Sequence, residues 1–351
     1  MQIPKLRFKN FNDEWKSTKI EKVCEICYGK SQVDIECKNG KYNILGTGGI
    51  IGTTNHFLYN KPSVLIGRKG TIDKPKFIDI PFWTVDTLFY TKINDNIIKP
   101  KFFYYCISHI DLKKYNEATG VPSLSTSILN KINIFIPSLE EQTKIANFLS
   151  LIDRKIELQE KLVENLKLYK KGLLQKVFSN NHGWKSAKLG DICNIIKGIQ
   201  LNKSNLLENG FYYCLNGGIT PSGYTNNWNV EENTISISEG GNSCGHVNFN
   251  KRKFWSGGHC YSLQNVTIDN EYLYSYLKFK EKTIMDLRVG TGLPNIQKSA
   301  IENFEVKYPN IEEQNRIANL FSNLDKKIDF ETNRLTKLKE YKKGLLQQMF
   351  I

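Results

Sequence analysis

Twelve side chains of this sequence have the type and setting to grip a polyanion: Lys30, Gln32, Arg68, Lys69, Lys74, Lys76, Lys197, Gln200, Asn242, Lys251, Arg252 and Lys253. Most fall in or beside Gly-rich polar loops, namely Gly29-Lys-Ser-Gln32, Gly67-Arg-Lys-Gly70, Gly198-Ile-Gln200, Gly240-Gly-Asn-Ser243 and Lys251-Arg-Lys253. Lysine and arginine there have the charge for phosphate. Gln32, Gln200 and Asn242 carry the paired donor and acceptor that suit a base edge. For any single residue the alternative is a solvated loop tip.

Chemistry of other kinds lacks its residues. No G-x-x-x-x-G-K-[ST] phosphate loop occurs, no Gly-rich dinucleotide loop follows a strand, and no Asn/Asp-Pro-Pro-aromatic tetrapeptide of an amino-methyltransferase is present. Two E-x-K triplets, Glu36-Cys-Lys38 and Glu305-Val-Lys307, have no upstream aspartate in matching context and argue weakly for a nuclease. Cys24 and Cys27 form one C-x-x-C without a second to complete four zinc ligands. His109, His182, His246 and His259 have no partner at catalytic spacing along the chain. Neither a catalytic residue nor a metal site is expected.

The elements that position these loops emerge from a repeat. Pro137 to Phe178 aligns without a gap on Pro309 to Phe350, at an offset of 309 − 137 = 172, with half the positions identical. Fainter pairs precede each copy. Trp15-Lys-Ser matches Trp184-Lys-Ser, and Lys19, Cys24 and Gly29 match Lys188, Cys193 and Gly198. Gly48-Gly-Ile50 matches Gly217-Gly-Ile219, Phe82-Trp83 matches Phe254-Trp255, and Thr119-Gly-Val-Pro122 matches Thr291-Gly-Leu-Pro294. The order is globular unit (1–137), helix (138–180), globular unit (181–309), helix (310–351).

Each repeated segment reads as one long helix. Ser138 with Glu141, and Asn310 with Glu313, form capping boxes behind a proline, and acidic first turns suit the helix dipole. Apolar residues then follow a 3-4 spacing: Ile145, Leu149, Ile152, Ile156, Val163, Leu166 and Leu173, and Ile317, Phe321, Leu324, Ile328, Leu335, Leu338 and Leu345. Val177 and Met349 extend the two seams, and Gln159, Lys170, Glu331 and Lys342 interrupt them at matched places. That is a coiled-coil seam over about five heptads, on helices roughly 60 Å long. Two matched seams in one chain predict an antiparallel pair that returns the C-terminus to the neighbourhood of Met1. The alternative is that each helix packs only on its own globular unit.

The globular units read as mixed strand and helix. Strands are predicted at Val64-Leu-Ile-Gly67, Thr87-Leu-Phe-Tyr-Thr91, Ile132-Asn-Ile-Phe-Ile136, Thr234-Ile-Ser-Ile-Ser238 and Phe304-Glu-Val-Lys307. Helices are predicted over Lys101 to Lys114 and Asn270 to Leu287. The fold class is therefore α+β.

Composition bounds the class. With 351 residues, 40% hydrophobic and 24% charged, each half can build a core. No apolar run approaches the ~18 residues of a membrane span, and the charged start is not expected to be a signal peptide. Eight cysteines without paired spacing fit reduced thiols in a cytoplasmic protein. The net charge of +14 is uneven. Residues 1–139 hold 20 basic and 12 acidic side chains, residues 179–311 hold 13 and 11, and each helical segment holds 8 and 6. The excess sits on the globular units, mostly the first, which is the electrostatic footprint of a polyanion partner.

Together these residues resemble a Type I restriction–modification specificity subunit. P-x-x-E-E-Q-x-x-I-A at Pro137 and Pro309 carries the likeness, as does Tyr-Lys-Lys-Gly-Leu-Leu-Gln at Tyr169 and Tyr341, each ending in Phe. Pro4-Lys-Leu-Arg-Phe8 leading to Trp15, and Thr-Gly-x-Pro at 119 and 291, add to it. The resemblance implies two target-recognition domains joined by two spacer helices in an antiparallel coiled coil. Each domain would read half of an interrupted double-stranded DNA sequence, and the helices would set the gap and dock two modification (methyltransferase) subunits. It implies no cofactor in this chain. S-adenosylmethionine belongs on the modification subunits, ATP and Mg on restriction subunits that join the full complex. Two departures stand out: the second domain carries only +2, and the short Asn180-Asn-His-Gly183 link has no counterpart of the Arg-Phe segment at the chain start. Rivals from other classes are a self-sufficient restriction or methyl-transfer enzyme, opposed by the missing motifs, and a coiled-coil scaffold that touches only proteins.

Overall fold

The computed structural model describes residues 3–290 and 292–351; Met1 and Thr291 of the sequence reading lie outside the described residues. Two compact units result, Met1–Gln159 with Arg334–Ile351, and Glu160–Asn333. The division passes through the middle of both long helices, Leu139–Ser179 and Ile311–Met349, rather than at their starts.

The two units share one topology, strand for strand. In unit 1 an antiparallel sheet runs Cys24–Tyr28, Leu88–Ile93, Ser63–Gly67, Lys76–Ile78, beside a three-stranded sheet of Gly49–Thr54, Tyr42–Gly46 and Phe82–Thr84. In unit 2 the same orders are Asn194–Lys197, Cys260–Gln264, Thr234–Ser238, Val247–Asn250, and Gly223–Thr225, Tyr212–Leu215, Trp255–Ser256. Each unit adds a two-stranded ribbon before its long helix, Lys16–Lys19 with Asn133–Ile136 and Lys185–Lys188 with Glu305–Tyr308. The α+β reading and all five predicted strands appear, with ends shifted by two residues at most.

Ser63–Gly67 and Thr234–Ser238 are buried throughout, as central strands covered on both faces. Their serines are satisfied inside. Ser63 Oγ donates to Thr91 O at 2.8 Å, and Asn250 Nδ2 donates to Ser236 Oγ at 2.9 Å. The predicted helix at 101–114 is an α-helix over Pro100–His109 and a 3-10 turn over Leu112–Tyr115, separated at Ile110–Asp111. The one at 270–287 divides at Lys280 into Asn270–Phe279 and Glu281–Met285.

The forward arm of each predicted cap forms: Glu141 N donates to Ser138 Oγ at 3.4 Å and Glu313 N to Asn310 Oδ1 at 3.0 Å. The return arm does not. The Glu141 carboxylate instead takes both arms of the Arg7 guanidinium at 2.8 Å, and Glu313 pairs with Arg316 at 3.2 Å. An arginine fork gives two charge-assisted bonds where the backbone amide would give one neutral donor.

Every seam side chain from Ile145 to Leu173 and from Ile317 to Leu345 named above is buried or half-buried, and so are Gln159, Lys170, Glu331 and Lys342. Each unit contains parts of both long helices, so the alternative of each helix packing only on its own globular unit fails. In unit 2, Phe178 meets Phe321 (5.9 Å between ring centroids) while Lys170 pairs with Asp325. The first helix advances between those contacts as the second retreats, so the two segments run antiparallel there. In unit 1 Lys342 pairs with Asp153 at 2.5 Å, and the chain end closes the core: Phe350 packs on Trp15 and Phe102, and Leu6 N donates to Gln348 O at 2.8 Å. No helix among the described residues is long and apolar enough to cross a membrane.

Candidate nucleic-acid interface

In unit 1 the strand Ser63–Gly67 leaves the core and turns at Arg68-Lys69-Gly70 before returning at Lys76. The turn is held from two sides. Arg68 N donates to Thr87 O at 2.9 Å, Leu124 N to Arg68 O at 2.9 Å, and Gly70 N to Pro122 O at 2.8 Å. Gly70 has φ +82, which a side chain would strain. Arg68, Lys69 and Lys74 therefore project from one hairpin loop. The Arg68 guanidinium reaches Asp86 at 2.5 Å and lies 5.3 Å from the Tyr28 ring centroid.

Lys30 flanks this loop through the segment 84–87. Its amide donates to Thr84 O at 2.8 Å, Trp83 Nε1 donates to its carbonyl at 3.0 Å, and its side chain is exposed. The approach is close because Gly29 has no side chain: a Cβ there would stand 2.1 Å from Val85 O. Gln32 follows, half-buried, with its carbonyl accepting from Ile35 N and Glu36 N in a turn.

Unit 2 repeats the arrangement with different side chains. Glu239 N donates to His259 O at 2.9 Å, Ile296 N to Glu239 O at 2.8 Å, and Gly241 N to Pro294 O at 3.0 Å, with φ +76 at Gly241. Trp255 Nε1 donates to Ile199 O at 2.8 Å, and Gly198 lies against Gly257 O. Lys197, Gln200 and Asn242 of the sequence reading surround this loop. Lys197 Nζ donates to Glu239 Oε1 at 2.6 Å, Gln200 lies against Gly258, and Asn242 is exposed on the loop itself. A cleft of about 390 Å³ opens here, lined by Lys197, Asn216, Glu239, His259 and Pro294. Tyr261 donates to Glu239 Oε1 at 2.9 Å, and burial followed by that bond pushes its phenol up.

Other candidates stand apart from these loops. Lys76 Nζ turns to Thr47 O at 3.4 Å. Lys251 pairs with Asp329 of the second long helix at 3.3 Å, while Lys253 sits 3.9 Å over the Trp228 ring and pairs with Glu231 at 3.0 Å. Arg252 is exposed. Glu36 forms a bridge with Thr54 and Glu305 accepts from the Ser186 hydroxyl. Sequence spacing missed Tyr28, Asp86, Glu239 and His259. The framework pairs Gly29/Gly198 and Pro122/Pro294 would have located them, by aligning Arg68 with Glu239. His259 and His246 also meet glutamates that lie far from them in sequence, Glu239 at 3.5 Å and Glu281 at 3.4 Å.

A second feature occurs once in each unit. In unit 1 a cleft of about 630 Å³ lies between Pro100–His109 and the first long helix, lined by Phe77, Tyr104, Ser150, Asp153 and Glu157. In unit 2 a cleft of about 230 Å³ is lined by Phe249, Tyr274, Ser322, Asp325 and Asp329, the helical three being the same repeat positions. Lys342 lies over Tyr105 in the first and Lys170 over Tyr274 in the second.

The family model described as the Type I restriction modification DNA specificity domain matches twice, over residues 12–168 and 181–340. A putative type I specificity subunit of Mycoplasma pneumoniae is 34% identical over 155 residues, 43% of this chain and 41% of that protein. One of Mycoplasma genitalium is 32% identical over 155 residues, 43% and 40% of the two lengths. The chain thus spans about two fifths of the length of these relatives. The putative MjaX specificity subunit of Methanocaldococcus jannaschii is 25% identical over 288 residues, 72% of this chain and 68% of that protein. The crystal structure of a Type I restriction–modification S subunit from M. genitalium superposes with a TM-score of 0.75 over 99% of both chains at 22% identity, a shared fold. A structure from work on assembly and conformational transition of the type I system gives 0.55 over 95% and 97% of the two chains, at 15% identity.

Proposed function

The chain belongs to the Type I restriction modification DNA specificity family, and from that premise we propose that it is the non-catalytic DNA-reading subunit of a cytoplasmic modification and restriction complex. Unit 1 reads one half of an interrupted double-stranded DNA target and unit 2 reads the other. The spacer helices fix the gap and dock two methyltransferase subunits, which bring S-adenosylmethionine; restriction subunits, where they join, bring ATP and Mg.

The observation that carries this reading is a duplicated ion pair. Asp153 and Asp325 are one repeat position, and Lys170 and Lys342 another. Asp153 pairs with Lys342, and Lys170 with Asp325, so each aspartate meets the lysine of the other copy. Within unit 2 the Lys170–Asp325 pair and the Phe178–Phe321 contact run antiparallel, and unit 1 holds the equivalent pair. An antiparallel register makes a ruler, and the repeated aromatic–acidic clefts offer one attachment place per modification subunit. Unequal loops on an equal framework favour unequal half-sites.

Binding energy should come first from phosphates. Lys30, Lys69 and Lys74 in unit 1, and Arg252 in unit 2, carry charges that release counterions and make affinity fall steeply with salt. Gln32, Gln200 and Asn242 are candidate base readers. With an excess of only +2 on residues 179–311, unit 2 leans more on hydrogen bonds or on its modification subunit. The test is to replace residues 1–137 by the corresponding part of a different specificity subunit and sequence the sites the reconstituted complex methylates. One half of the target should change and the other persist. A change in both halves would defeat independent reading.

A further inference from the structure

The turn that follows the buried central strand carries opposite charges in the two units. Arg68 and Glu239 occupy one backbone position, fixed by the same three hydrogen bonds: to the 87/259 carbonyl, from the 124/296 amide, and through the following Gly70/Gly241 to the Pro122/Pro294 carbonyl. Their neighbours are exchanged to match. Arg68 lies against Tyr28 and Asp86; Glu239 lies against Lys197, which stands on the strand where Tyr28 stands in unit 1, and against His259.

Glu239 is also anomalous in its own right. It is 9% exposed, and Oε1 accepts from Lys197 and Tyr261, yet Oε2 is buried without a hydrogen-bond partner. Nδ1 of His259 stands 3.5 Å away, an ion-pair distance rather than a hydrogen bond, on a side chain that is 63% exposed and lines the same cleft. A half-satisfied buried carboxylate is costly, and a donor supplied from outside would recover that cost. A carboxylate oxygen can only accept when ionised. The matching donor on a base edge is an exocyclic amino group, N4 of cytosine or N6 of adenine, whereas a guanidinium fork matches O6 and N7 of guanine.

We propose that Arg68 and Glu239 are equivalent base-reading residues of opposite preference: Arg68 takes the acceptor edge of a guanine, and Glu239, once His259 swings outward, takes the amino group of a cytosine or adenine. This rests on the DNA-reading function proposed above and assigns it one residue per unit. The half-sites then differ in kind at equivalent places because the same turn presents a donor in one unit and an acceptor in the other.

The test uses the complete chain assembled with its modification subunits and methylation of duplexes carrying the mapped target. Each position is substituted in turn, for the wild type and for Glu239→Ala and Arg68→Ala. Wild type should discriminate roughly 10-fold to 100-fold at the base pair each residue reads. Glu239→Ala should flatten discrimination at one pair in one half-site, and Arg68→Ala at one pair in the other. Base analogues provide an arm that needs no variant. With wild type, 2-pyrimidinone for a read cytosine, or purine for a read adenine, should lose about as much as the wrong base, and 7-deazaguanine should do so in the other half-site. Unchanged discrimination in both variants together with tolerated analogues overturns the assignment while leaving the DNA-reading function intact. Wild type that prefers no sequence overturns the function itself.

Discussion

Two glutamates at one repeat position should differ several-fold in what their partners contribute to stability. Glu141 is 1% exposed and gripped by both arms of Arg7, which is 13% exposed; Glu313 is 42% exposed and meets Arg316 within its own helix turn. The hydrogen bonds that Arg7 donates to Glu141 raise its pKa above the ordinary value, against the opposing effect of burial. Arg7→Ala leaves a buried carboxylate without its cation, and breaking such a pair costs about 3–5 kcal/mol. The amides of the helix N-terminus return about 0.5–1 kcal/mol of that, so a net loss of about 2–4 kcal/mol is expected. Arg316→Ala breaks an exposed i,i+3 pair worth about 0.2–0.5 kcal/mol. Urea unfolding of the full chain, followed by hydrogen exchange at Phe102–Ile107 and at Tyr272–Leu277 to separate the units, reads both. With m of about 3 kcal/mol/M, Arg7→Ala should lower the midpoint of unit 1 by about 1 M and leave unit 2 unmoved. The double variant Arg7→Ala with Glu141→Gln should recover much of the loss, because the stranded charge is gone. Equal small effects of Arg7→Ala and Arg316→Ala would refute the reasoning.

Other outcomes follow from the same structure. Phe178, fully buried among Trp184, Tyr272, Tyr276, Phe279 and Phe321, should cost unit 2 about 3–5 kcal/mol on replacement by alanine, seen as faster exchange there and not in unit 1. Burial pushes the thiols of Cys24, Cys106 and Cys193 up to about 12 and Cys260 to about 11, so alkylation at pH 8 followed by mass spectrometry should find these four unmodified until the chain unfolds. Burial lowers the His109 pKa from 6.5 against Phe350. The unfolded state then binds the proton more readily, and stability should fall as pH drops below about 6.5; His109→Phe should flatten that slope in urea midpoints measured between pH 7 and 5. One helical turn inserted at matched places in both long helices should lengthen the gap between methylated half-sites, and an unchanged gap would discount the ruler.

The long helices and their seam were legible because heptad spacing, caps and a 172-residue repeat are local or periodic signals. Even the buried polar positions Gln159 and Glu331, 7% and 2% exposed, show in the sequence as matched interruptions. The capping box misplaced Glu141 because its true partner, Arg7, lies 134 residues away and outcompetes the adjacent amide. The loops were harder. Residue type marked Arg68 and Lys197 as candidates, but the acidic partner of Lys197 is 42 residues distant, and Glu239 beside a neutral Gly-rich loop gives no local sign of the contacts its carboxylate makes. Lys251 shows the opposite case: its run of three basic residues is a strong local signal, while the partner of its charge, Asp329 on a helix 78 residues away, is visible only in the structure.

The most direct test of the account is methylome sequencing of a host with and without this gene, its modification partner being present throughout. Loss of methylation at one interrupted motif with two dissimilar halves is the predicted result. An uninterrupted or palindromic motif, or no change on removing the gene, would contradict two unequal reading units held apart by a helical ruler.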